Sequence, residues 1–155
     1  MPFQIMALPP DDFTPLFALS DDELRRHHAR RQIVTAHPGT PCRVSLTDAK
    51  VGETVLLVNY THLAASSPFR SSHAIFVREG AEQARPAVDE VPEVLRRRLI
   101  SVRLFDRDDM MVDADVVPGT ELSAAIQRAF ADPDVSYLHL HYAKPGCFAA
   151  SVHRA

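Results

Sequence analysis

The sequence predicts an α+β fold, a mostly antiparallel sheet with a few helices, the main one packed on one sheet face. Three observations carry that expectation. From Cys42 onward, hydrophobic residues recur with period two, as in strands with one buried face. The connections between these runs are mostly of hairpin length, which favours antiparallel neighbours over helical crossovers. One segment breaks the pattern: Leu122, Ala125, Ile126, Ala129 and Phe130 fall on a single helical stripe.

Taken in chain order, Phe3 to Leu8 reads as a short strand closed by Pro9-Pro10. Ser20 and Glu23 form a capping box, and Leu19 and Leu24 flank it as a hydrophobic staple. They predict a polar surface helix through Arg31. Cys42, Val44 and Leu46 would share one face of a strand, with Arg43, Ser45 and Thr47 on the other. Val55 to Val58 and Ile75 to Val77 are continuous apolar runs rich in β-branched residues, the pattern of central strands covered on both sides. Pro92 suits the first turn of a short helix. Ser101 to Phe105 and Met111 to Val117 predict a hairpin around Asp106 to Asp109. Asp132-Pro133 stops the Leu122–Phe130 helix. Tyr137 to Tyr142 then forms a strand, and Phe148 to Val152 a further strand or a docked tail.

At 155 residues the chain is read as one globular domain, able to bury roughly 70% of its unfolded surface. A net charge of −3 gives no broad basic field for nucleic acid, and Arg96 to Arg98 reads as a solvated helix end. No apolar run is long enough to span a membrane. Two cysteines are too few for a disulfide framework, and the first residues do not resemble a signal peptide. A cytoplasmic protein is expected.

Chemistry concentrates in the last strand. Two-residue spacing puts His139 and His141 on one side of it, and Cys147 follows a Pro145-Gly146 turn. Opposite the helix-covered side, the sheet would collect Arg43, Ser45, Thr47, Ser101, Arg103, Asp113, Asp115, His139 and His141, with Phe105 and Met111 as apolar intruders. A second polar cluster comprises Asn59, Tyr60 and His62, then Pro68 to His73. There Arg70 with its serines suits an oxyanion, or else caps exposed carbonyls. Zinc would need about four ligands. Cys42, His139, His141 and Cys147 are the candidates, but alternation turns Cys42 to the apolar side. No metal and no cofactor are therefore expected. Cys147 is read as a buried small hydrophobe beside Phe148, slow to alkylate, rather than an activated nucleophile. Asp106, Asp108 and Asp109 lack the glycine and terminal glutamate of a calcium loop. No nucleophile elbow, phosphate loop or dinucleotide fingerprint is present.

No reaction follows from these residues. The reading they support is a binding site for a small anionic metabolite. Arg43, Arg70 or Arg103 would hold the charge, His139 and His141 would hydrogen-bond or titrate, and Cys147 would lie nearby. The alternative is a non-catalytic interaction module, a homodimer formed through the sheet face or an exposed edge.

Three stretches, Pro38 to His62, Ser67 to Glu79 and His139 to Ala155, together resemble the uncharacterised bacterial family called domain of unknown function 1203. The resemblance implies a single small bacterial domain and supplies no activity, cofactor or catalytic residue. Tyr142 stands where that pattern has Asn, Phe69 where it has Tyr, and Ala150 at a position that can hold Cys.

Overall fold

A computed structural model describes residues 1–155. Its strands are β1 (Phe3–Met6), β2 (Ala29–Ile33), β3 (Thr54–Leu63), β4 (Ser71–Arg78), β5 (Leu99–Phe105), β6 (Met111–Pro118), β7 (Tyr137–Tyr142) and β8 (Phe148–Arg154). Its helices are α1 (Asp21–Arg26), α2 (Glu93–Arg96) and α3 (Leu122–Phe130). This is an α+β fold with mostly antiparallel sheets. None of the helices is long and apolar enough to cross a membrane.

The chain divides into two compact units: residues 1–6, 61–73 and 85–155 in one, 7–60 and 74–84 in the other. The first carries a five-stranded antiparallel sheet in the order β1-β8-β7-β5-β6. Ile100, Val102, Leu138, Leu140, Ala150 and Val152 are buried on one side of it. The α3 stripe Leu122, Ala125, Ile126, Ala129 and Phe130 is buried as its spacing predicts. Leu104, Asp113 and Asp115 line a shallow cleft with Arg128 and Ala129 of α3, so the helix lies on the Leu104 side of the sheet. Arg154 ends this helix by donating to the carbonyls of Phe130, Asp132 and Val135, with its guanidinium over the Phe130 ring. Before α3, Gly119 admits no side chain: a Cβ there would meet the Leu95 carbonyl at 1.9 Å.

The second unit contains β2, β3 as far as Tyr60 and β4 from Ala74, in a sheet ordered β2-β3-β4. Val34, Ala49 and Val55 pack there with Phe76. Two sequence expectations are corrected in this unit. Ser20 does cap α1, its Oγ accepting from Glu23 N at 3.2 Å, but the helix ends at Arg26. His28 takes a left-handed φ of 54°, and residues 29–33 pair with β3 as β2. The second correction is at Cys42 to Thr47, which is no strand. It makes one isolated bridge, Cys42 with Phe76, followed by turns, with Leu46 at φ 51°. Cys42, Val44 and Leu46 are buried as alternation suggested, yet so is Arg43, at 1% exposure. Arg43 therefore does not lie on an open polar face.

The hairpin β5–β6, the helix α3 and the strands β7 and β8 match their sequence expectations. Asp113 and Asp115 do not. They pair with Leu104 and Val102, on the side away from Arg103 and His139. Each instead accepts a 2.8 Å hydrogen bond from the next backbone N–H, Ala114 and Val116 respectively.

Candidate histidine site

β7 presents Tyr137, His139 and His141 to the side opposite α3, and cross-strand pairing brings Arg103 beside His139 and Ser101 beside His141. On the other flank, Ser151 pairs with His139. A register shift between β7 and β8 then places Phe148, rather than Ala149, opposite His141. Strict alternation would have sent Phe148 to the apolar side. The bulge turns it onto the histidine face, the kind of local re-aiming for which bulges are used beside functional sites.

The segment 61–73 lies over this face. His62 stacks on Phe148 at 5.4 Å with the rings 4° from parallel, and its ring meets that of His141 edge-on at 4.8 Å. Phe69 contacts Phe105, and Ser67 Oγ donates to the Asp109 carbonyl at 2.8 Å. Under this cover His139 is 6% and His141 1% exposed, while His62 is half-buried.

Three ring nitrogens are buried with no hydrogen-bond partner in the protein: His62 Nδ1, His139 Nδ1 and His141 Nε2. The three residues can present ligand atoms within 4.8 Å of one another. The opposite nitrogens of two rings are held. His141 Nδ1 is 3.0 Å from the carbonyl of Gly146. A carbonyl only accepts, so Nδ1 carries the proton and Nε2 presents its lone pair. Gly146 itself sits at φ 82°, a turn geometry that suits glycine, and its N–H closes the hairpin on Tyr142 O at 2.8 Å. His62 Nε2 lies 3.1 Å from Ser71 Oγ. When that nitrogen donates, Nδ1 is left as an acceptor facing the cluster.

Burial is the main force on the protonation of all three rings, because it penalises the charged imidazolium. It holds His62 down to about 4, helped by Arg103 and His73. His139 is likewise held at about 4, with His62, His153 and Arg103 adding to the effect. His141 is held at about 3, although its bond to Gly146 pulls the other way. The rings are neutral near pH 7, the state in which imidazole binds metal.

The residues singled out in the sequence separate accordingly. Arg103, His139 and His141 come together. Arg70 caps a carbonyl, donating to Ala64 O, which was the simpler of its two readings. Arg43 belongs to the other unit and donates to Pro41 O at 2.5 Å. Cys147 is buried at 7% exposure just after the Gly146 turn. Cys42 accepts from the backbone N–H groups of Ser45 and Arg78, within its own unit. The residue missed as a partner is His62. The sequence marked it as part of a polar cluster, but only the chain path over the sheet reveals what it meets.

The profile of the family described as protein of unknown function (DUF1203) matches residues 39–154, and the chain belongs to that family. No curated protein and no solved structure matches it.

Proposed function

We propose that this domain binds a divalent transition metal ion, zinc being the best match, through His62, His139 and His141. The observation that carries this reading is a cluster of three imidazoles that can present ligand atoms within 4.8 Å of one another, each with one buried ring nitrogen that no group in the protein satisfies. Leaving such an atom buried and unsatisfied costs about 1–3 kcal/mol, and three in one cluster need a reason. Zinc takes imidazole nitrogens at about 2.0–2.1 Å, so tetrahedral ligands lie about 3.3 Å apart. The observed spread of up to 4.8 Å is wider, so binding would draw the three rings together. The supporting bonds also fit: Gly146 O and Ser71 Oγ hold the outer nitrogens of two rings, as second-shell groups do around histidine ligands.

With Cys42 turned away, the ligands visible in the sequence are too few for zinc. His62 supplies the missing one. Three protein ligands leave one position open, the pattern of sites that bind or act on small molecules rather than of closed structural sites. A cytoplasmic setting belongs to the same reading, since neither cysteine is in a disulfide. The dimer alternative draws less support. β6 is a sheet edge, but Asp113 and Asp115 cap the N–H groups of Ala114 and Val116, which blunts edge-to-edge pairing.

Elemental analysis of protein grown with zinc and exhaustively dialysed tests the proposal. About one zinc per chain is expected, and less than about a tenth of that in the His139→Ala,His141→Ala double variant. Equal zinc in both proteins, or none in either, would refute it.

A further inference from the structure

The histidine face carries one more charged group, and its charge has the wrong sign for a metal ligand. Arg103 is the cross-strand neighbour of His139, on the same side of the sheet. Its guanidinium is half-buried, and its Nε donates to Ser101 Oγ at 3.3 Å, a neutral partner. No carboxylate pairs with it. Its influence nevertheless reaches all three rings, since its charge helps disfavour the imidazolium form of each.

Few acidic groups balance the face. Asp109, the only carboxylate acting on His139, accepts from the Tyr137 hydroxyl at 2.6 Å, and its backbone carbonyl accepts from Ser67. Asp113 and Asp115 project from the opposite side of the sheet. Three neutral imidazoles, a dication and Arg103 would carry about +3, which the Asp109 carboxylate beside Tyr137 offsets only in part. In a partly desolvated site, like charges on neighbouring groups repel far more than they do in water. The remaining positive charge favours an anion there.

Resting on the metal reading above, we infer that the open metal position is filled by a small oxyanion, carboxylate or phosphate, with Arg103 as its second anchor. One oxygen of the anion meets the metal, and the other is oriented by the guanidinium fork. That geometry suits Arg better than Lys, because the planar fork pairs with two oxygens or with one oxygen at a fixed angle. It also assigns a use to the anion expected from the sequence, while reducing three candidate arginines to one. The face is otherwise lined by rings: Phe148 touches all three histidines and Phe105 stacks on Tyr137 at 5.2 Å. An anion with a small apolar or planar body fits such walls better than a bare, strongly hydrated ion.

Cobalt(II) reports directly on this arrangement, because its visible spectrum changes with the fourth ligand. The metal-free full-length chain is loaded with one equivalent of Co(II) and titrated separately with acetate, benzoate and inorganic phosphate at constant ionic strength. A saturable spectral change is expected with at least one of them, with benzoate tighter than acetate. Arg103→Gln should weaken that anion by about tenfold or more while binding Co(II) no less tightly, and Arg103→Lys should recover part of the loss. A protein that never develops a bound-Co(II) spectrum would overturn the metal reading and this inference with it. A normal Co(II) spectrum that no anion alters, or an anion response unchanged in Arg103→Gln, would overturn this inference alone and leave the metal site standing.

Discussion

The two faces of the five-stranded sheet are built on the same strands and obey opposite rules. Toward α3, side chains such as Ile100, Val102, Leu138, Leu140 and Val152 are fully buried and carry no polar atom that needs a partner. Away from α3, His139 and His141 are almost as deeply buried, yet each keeps a ring nitrogen that nothing in the protein satisfies. The first face contributes stability by the ordinary route, at about 25 cal/mol per Å² of apolar surface removed from water. The second gives some of that up. Burial alone therefore does not distinguish a core from a site; the unanswered polar atoms do.

The largest effect should come from the apolar face. Phe130→Ala removes a fully buried ring from α3 and is expected to destabilise the chain by about 3–5 kcal/mol in urea, with or without metal. A loss under about 1 kcal/mol would mean that α3 is not docked as described.

A smaller effect separates the faces by pH. The three site histidines have folded pKa values of about 4, 4 and 3, below the unfolded value of about 6.5. Between those limits the unfolded chain binds more protons than the folded one, so acid favours unfolding. The metal-free protein should keep its stability above about pH 6.5 and lose several degrees of Tm as the pH falls toward 4. His139→Leu should flatten part of that slope. At pH 7.5 it should cost the apoprotein no more than about 1 kcal/mol, because it deletes an unsatisfied buried atom and leaves an apolar side chain. A steep loss at pH 7.5, comparable to that of Phe130→Ala, would show that the histidine face is ordinary core.

What the sequence revealed follows the same division. Features set by local period were legible: the stripe of α3, the β5–β6 hairpin, and the common side of His139 and His141. Features set by a departure from period were not. Alternation assigned Asp113 and Asp115 to the histidine side, but the β5–β6 register puts them with Val102 and Leu104. The α1 helix is shorter than its sequence suggests, because nothing in the arginine-rich run announces the left-handed turn at His28 or the pairing of β2 with β3. Within the site, the bulge that delivers Phe148 and the path that lays His62 over β7 are tertiary facts. The signal available in the sequence was a third histidine ending an apolar strand run, which becomes meaningful only beside the other two.

Whether the cluster of His62, His139 and His141 holds a metal is decided by titrating the metal-free protein with zinc against a competing chromophoric chelator. One equivalent should bind with a Kd below about 1 μM, a value modest for three imidazole ligands. Separate His62→Ala, His139→Ala and His141→Ala variants should each weaken it by about tenfold or more. Zinc binding absent up to about 100 μM, or binding that survives unchanged in all three variants, would contradict it.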